Sequence, residues 1–251
     1  MAQLIILGSS NAIPTIGHEN THLAILTAGQ NILIDCGANP VVRLEQAGIE
    51  INSITDIILT HFHPDHVSGL PLLLMDMWLM GRRAELHLYG LSHTLERAQS
   101  MMSLYGWQNW PNFFSVQFHI IEEKQKSVVF ENKNVSVYAS PVKHFIPNIC
   151  LRIELAAEKK AIAYSCDTEP CQAVVDIAGG ADILLHETAG TNAGHSSAGQ
   201  AGKTARLAEA RSLILIHYPT GRFASGDLVA QAKNHFMGEV MLAKDLLKID
   251  L

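Results

Sequence analysis

No stretch of this sequence approaches the roughly eighteen consecutive apolar residues that a membrane helix requires. The opening segment, MAQLIILGSSN, has neither a basic region nor an apolar run long enough for a secretory signal. No membrane partner is therefore expected, and a cytoplasmic location is. Cysteine is scarce: Cys36, Cys150, Cys166 and Cys171 form no CxxC pair, which speaks against a disulfide scaffold or a zinc knuckle and for buried free thiols. No Pro/Gly/Ser-rich linker, like-charge run, low-complexity tract or internal repeat interrupts the chain, so residues 1–251 read as one domain. Positive charge is short as well. The formal net charge of −6 argues against a broadly basic nucleic-acid surface, while leaving room for a local positive groove around bound cations.

What is present is a large supply of apolar residues, 48% against 17% charged, enough for a sizeable core. Short β-rich runs recur at 4–7, 23–27, 31–35, 56–60, 85–89, 116–121, 135–139, 149–155, 161–165, 183–185, 212–216 and 239–242. Helical stretches alternate with them at 40–47, 69–80, 92–105, 170–178, 197–210 and 226–236. These strands are too many for one ordinary open sheet. The expected class is α/β, with two packed sheets covered by helices on both outer faces. The segment 71–80 (PLLLMDMWLM) is apolar almost all round and reads either as a buried helix or as a self-association surface, which makes a homodimer a reasonable expectation. The aromatic cluster Trp107, Trp110, Phe113 and Phe114 reads as packing rather than as a ligand platform.

The densest chemistry lies at His61-Phe62-His63-Pro64-Asp65-His66, directly after the apolar run DIILT. On composition alone this arrangement of three imidazoles and a carboxylate should arise in roughly one such chain in 700. His61 and His63, two apart in an extended segment, can point to one side; Asp65 and His66 can diverge toward a second ion once Pro64 fixes the turn. A single zinc needs only three or four ligands, so this run could fill one ion unaided. Further ligand-type residues nevertheless end other strand-like runs: His144 after VYASPVK, Asp167 after AIAYSC and His217 after LILI. A strand end delivers a side chain rigidly to the rim of a sheet. The arithmetic suits two divalent ions, one held by His61, His63 and His144, the other by Asp65, His66 and His217, with Asp167 between them.

The sequence resembles the metallo-β-lactamase superfamily, and within it the ribonuclease Z branch. The resemblance covers nearly the whole chain through LIILGSSNAIP, LIDCG at 33–37, LTHFHPDHVSGLP at 59–71, VKHFIPNICLRIE at 142–154, SCDTEPC at 165–171, ADILLHETA at 181–189, HSSAGQAGKTA at 195–205 and LILIHYP at 213–219. It implies an αββα sandwich with a dinuclear site at its rim, usually zinc, with manganese or iron as alternatives. It also implies hydrolysis of a phosphodiester, either a small molecule or an RNA 3′ end, by a hydroxide shared between the ions. In that branch the position of His195 carries a histidine thought to protonate the leaving group, and Asp65 would orient and help deprotonate the attacking water. The same fold and site could instead hydrolyse a lactone, thioester or sulfate ester, or persist in a binding protein without activity.

Three departures bear on substrate. His144 and Asp167 are only 23 residues apart, which leaves no room for the long arm with which ribonuclease Z grips tRNA. Cys166 stands where Gly is usual before the Asp, and the segment after the final histidine is HYPTGRF, with Arg222 as its only cation. Small or flexible diesters are the expectation that follows. Among supporting residues, Asp35 in LIDCG and Glu187 in HET are expected to orient a ligand histidine and His195 respectively. Alternation should turn His186 away from whatever Glu187 faces, and Ser196 is a candidate cap for the helix that follows.

Overall fold

The computed structural model describes residues 2–224 and 226–251. In chain order the first half forms β1 (Gln3–Gly8), β2 (His22–Thr27), β3 (Gln30–Ile34), α1 (Pro40–Gln46), β4 (Asp56–Ile58), α2 (Pro64–Val67), α3 (Leu70–Leu79), β5 (Leu86–Gly90), α4 (Ser92–Leu104) and β6 (Val116–Ile120). The second forms β7 (Ser127–Glu131), β8 (Val135–Pro141), β9 (Ile149–Leu155), β10 (Lys160–Tyr164), α5 (Gln172–Ile177), β11 (Ile183–Glu187), α6 (Ala198–Leu207), β12 (Ser212–Ile216), α7 (Leu228–Lys233), β13 (Glu239–Leu242) and β14 (Leu247–Asp250). Two mixed seven-stranded sheets result, in the orders β14-β1-β2-β3-β4-β5-β6 and β13-β12-β11-β10-β9-β8-β7. The last strand crosses back to pair antiparallel with β1, so the chain closes on the sheet where it began.

Strand alternation explains the layering. Leu4 and Ile6 of β1 join Ile25, Ile32, Val137, Ile153, Leu185 and Ile214 in a core between the sheets. Ile5 and Leu7, of opposite parity, pack outward with Leu33 and Ile57 against Leu44, Leu73, Met77 and Leu95 of α1, α3 and α4. On the other outer face, Ala163, Leu184, Leu213 and Leu215 meet Val174, Ile177, Ala201, Ala205 and Ala232 of α5, α6 and α7. Both faces of each sheet are thus apolar, and the helices must cover them. The close approach of α6 to α7 rests on Gly202, where a Cβ would lie 2.3 Å from the Ala232 carbonyl oxygen.

All twelve sequence-derived strands and six helices are present, with shifted ends. β7, β14 and the one-turn α2 were not anticipated. The 69–80 segment is a helix buried along Leu70, Leu73, Leu74 and Met77, while Leu79 and Met80 at its end are 65% and 55% exposed. Among the described residues no helix is long and apolar enough to cross a membrane. All four cysteines are free, and Cys36, Cys150 and Cys166 are buried.

Candidate metal centre

Four of the expected ligands come from one turn. β4 stops at Ile58, and the chain enters α2 with Pro64 as its first residue, where the missing N–H has no intrahelical partner to lose. The extended His63 caps that turn and lets His61 and His63 face the same point. His61 Nε2 and His63 Nδ1 are 3.0 Å apart, and His144 Nε2 lies 3.1 Å from the same His63 nitrogen. Burial holds all three imidazoles below their ordinary pKa, which keeps them neutral and their lone pairs available.

Asp65, His66, Asp167 and His217 form a second set whose ligand atoms all lie within 4.8 Å of one another. His66 Nδ1 is 2.8 Å from Asp35 Oδ2, which turns Nε2 toward Asp65 Oδ2 at 3.4 Å and Asp167 Oδ2 at 3.6 Å. His217 Nε2 is 3.1 Å from the same Asp167 oxygen. Burial opposes ionisation of Asp167, yet His217 and His66 outweigh it and hold the carboxyl well below the usual carboxylate range. All seven residues expected from the sequence therefore come together, in two adjoining sets.

The donor sets fit two divalent cations. Zinc–nitrogen bonds of about 2.0–2.1 Å place neighbouring tetrahedral donors roughly 3.3 Å apart, close to the nitrogen spacings of the trihistidine set. Two neutral-imidazole acceptors cannot approach so closely without a proton or a cation between them. In the second set, buried His66 Nε2 and Asp167 Oδ1 have no hydrogen-bond partner among the described residues, and the two carboxylates would offset cationic charge.

The support is local and specific. Asp35 Oδ1 accepts from the Thr60 N–H at 2.8 Å and the Thr60 hydroxyl at 2.9 Å, so Asp35 orients His66 as expected and also fixes the strand end before His61. Gly37 is obligatory, because a Cβ there would sit 1.9 Å from the Asp65 carbonyl oxygen. Thr60 and Cys166 were not anticipated as supports: Thr60 Oγ1 is 3.1 Å from His61 Nδ1, and the Cys166 thiol donates to Thr60 Oγ1 at 2.9 Å. The one sequence signal was Cys166 standing where Gly is usual. Asp35, Cys166 and His217 all leave their strands in the left-handed region, at φ 61°, 51° and 53°.

His195 lies beside both sets. Its ring centroid is 5.2 Å from that of His144 and 6.0 Å from that of His217, the latter pair stacked. Glu187 Oε1 is 3.0 Å from His195 Nδ1 and also accepts from the Thr168 and Ser196 N–H groups. Burial opposes a proton on His195, but the Glu187 hydrogen bond and charge prevail and raise its pKa. Burial likewise raises the pKa of Glu187, with His195 opposing. One expectation is corrected: the cap of α6 is Ser197, whose side chain accepts from Gln200 N while the Gln200 side chain accepts from Ser197 N. Ser196 instead donates to the Thr168 carbonyl, tying the His195 loop to the strand end that carries Asp167. His186 shares the parity of Leu184, on the outer face away from Glu187.

This layering, with its donor-rich rim, is the metallo-β-lactamase fold. The metallo-β-lactamase fold protein YhfI from Bacillus subtilis is 21% identical, with a TM-score of 0.83 over 99% of this chain and 98% of its own. Human tRNase Z, short form, is 22% identical, with a TM-score of 0.80 and the same coverage. Residues 2–238 match the family model described as Anti-Pycsar protein Apyc1, and the chain belongs to that family. Among curated proteins, a ribonuclease Z from Methanothermobacter thermautotrophicus is 26% identical, covering 100% of this chain and 97% of its own. That alignment runs over 306 positions against 251 residues here, so about 55 positions of the relative have no counterpart. Between His144 and Asp167 this chain has only β9, a four-residue turn and β10.

Proposed function

We propose that this chain is a single-domain, dinuclear metal-dependent phosphodiesterase. One ion is held by His61, His63 and His144, the other by Asp65, His66 and His217, with Asp167 shared. The observation that carries this reading is the junction of two ligand sets flanked by His195, whose Nδ1 is held by a buried carboxylate. Two cations, which we take to be zinc, would supply Lewis acidity for the phosphoryl oxygens and lower the pKa of a water toward neutrality. Asp65 then orients the attacking water and accepts its proton. Glu187 fixes the His195 tautomer with Nδ1–H toward itself, leaving Nε2 to carry the proton that the departing alkoxide takes.

The substrate we favour is a small or flexible diester. Ribonuclease Z relatives suggest RNA, and the family description suggests an anti-Pycsar role; the four-residue turn between β9 and β10, where the tRNA-gripping arm would be inserted, supports the smaller substrate. A homodimer is supported by the exposed Leu79 and Met80 beside the half-buried Trp78 and Trp110.

The test is metal content together with hydrolysis of bis(p-nitrophenyl) phosphate by the purified protein and by His66→Ala. Two ions per chain with turnover in the parent, and loss of one ion with collapse of turnover in the variant, are expected. Two ions without turnover on any diester would sink the phosphodiesterase reading and turn the search to lactones, thioesters and sulfate esters.

A further inference from the structure

Phe145 follows His144 directly, in the bend between β8 and β9, and 64% of its surface is exposed. An aromatic ring so open on a rim gains little from the fold itself. Its ring is nevertheless fixed. Its centroid is 5.2 Å from the His144 ring and 6.3 Å from the His195 ring, at interplanar angles of 60° and 70°. Gly194, at φ 76°, backs it so closely that a Cβ on that residue would lie 2.7 Å from Phe145 Cε2. The Gly194 carbonyl is also 2.8 Å from His144 Nδ1, so one peptide positions both the ring and the histidine. Phe145 is therefore a seated apolar surface tied to the site.

Its neighbours assign it a side of the reaction. The ring lies against His144 and against His195, the residue that gives its proton to the departing alkoxide in the reading above. A group that packs on Phe145 is part of the alcohol that departs. Stacking needs a flat π-face, and in biological phosphodiesters the flat group commonly attached to the leaving alcohol is a nucleobase.

We infer that Phe145 is a specificity-determining residue that stacks on the nucleobase of the leaving nucleoside. The inference rests on the phosphodiesterase reading above. Every base has a π-face, and a single open ring offers no hydrogen-bond donor, so Phe145 selects for the presence of a base and discriminates weakly among bases.

The experiment uses the metal-loaded protein, thymidylyl-thymidine and two analogues that each lack one base; the product that keeps the phosphate identifies which nucleoside leaves. In the parent, removing the base of the leaving nucleoside should lower kcat/KM by about 5- to 150-fold, mostly through KM, as expected for one base–aromatic stack. In Phe145→Ala the ratio between the intact and base-deficient substrates should fall toward 1, and Phe145→Trp should restore it. An unchanged ratio in Phe145→Ala would overturn the assignment, as would equal losses on all three substrates. A second readout needs no turnover. Tryptophan emission of Phe145→Trp should be quenched by thymidine and not by deoxyribose, beyond any change seen in the parent; no such quenching would also overturn it. If the parent hydrolyses none of the three diesters while the quenching is present, the phosphodiesterase reading fails and base recognition stands.

Discussion

The first half of the chain places four donors within six residues, His61 to His66, while the second half supplies His144, Asp167 and His217 one at a time from three strand ends. The difference is one of information. A turn that carries its donors together takes their spacing from local geometry, with Pro64 at the start of α2, and draws only its support from elsewhere, from Asp35 behind His66 and Gly37 under Asp65. Ligands spread over three strands depend on sheet register, on Ser9 accepting from the His217 N–H, and on Asn148 donating to the Asp167 carbonyl. The donor spacing of the compact region is set by sequence neighbours, and that of the dispersed one by the whole fold.

Asp167→Asn attacks the dispersed half where it meets both sets, and should produce the largest effect: loss of at least one ion and a fall in turnover of about 10⁴-fold. Metal analysis beside kinetics checks it; full occupancy with full turnover would show that the first half suffices alone. His195→Ala should lower turnover by about 10²- to 10⁴-fold at unchanged metal content, with larger losses as the leaving alcohol becomes more basic. A rate series across leaving groups of different pKa reads this out, and a uniform loss would remove the proton-donor role. Asp35→Asn sharpens the comparison from the compact side. It weakens the support of His66 without removing a donor, so metal affinity should fall by about 10- to 100-fold, measurable by competition with a chelator.

The smallest effect concerns acid stability. Burial lowers the pKa of His186 to about 4 from an ordinary 6.5, with its hydrogen bond to the Glu187 carbonyl opposing. The unfolded chain therefore takes up this proton first as pH falls, so the stability is complete above about pH 6.5 and declines toward pH 4. Between pH 7 and 5 the parent should lose about 2 kcal/mol that His186→Gln does not lose. Urea midpoints at the two pH values give the difference, and parallel losses would reject it.

The same contrast accounts for what could be read from the chain. The HFHPDH run showed its cluster of donors locally, and His144, Asp167 and His217 stood out because each follows an apolar strand; the structure brings the donor atoms together. β7 and β14 were not, since both are short edge-region strands with charged flanks that pairing with β8 and β1 recruits. α2 is a single turn whose cap, His63, is itself one of the clustered donors, so its residues read as metal chemistry rather than as helix. Thr60 and Cys166 act through hydrogen bonds behind His61, and no sequence spacing encodes contacts between residues 106 positions apart. Ser196 and Ser197 were interchangeable as caps by composition; the Gln200 side chain decides for Ser197.

The left-handed turns at Asp35, Cys166 and His217 set a trade-off between durability and work. Each strand leaves its sheet by a bend that a side chain adopts at a cost of order 1–3 kcal/mol, and that glycine would adopt freely. Selection for thermal endurance alone would favour glycine at these positions. At Asp35 and His217 glycine would remove a group that orients His66 and a candidate metal donor, so under the proposed function those two bends mark where the protein stays softer than its fold allows. Cys166 is not among the candidate ligands, so Cys166→Gly would relax its bend with every donor kept, at the cost of a buried side chain between the sheets and its hydrogen bond to Thr60.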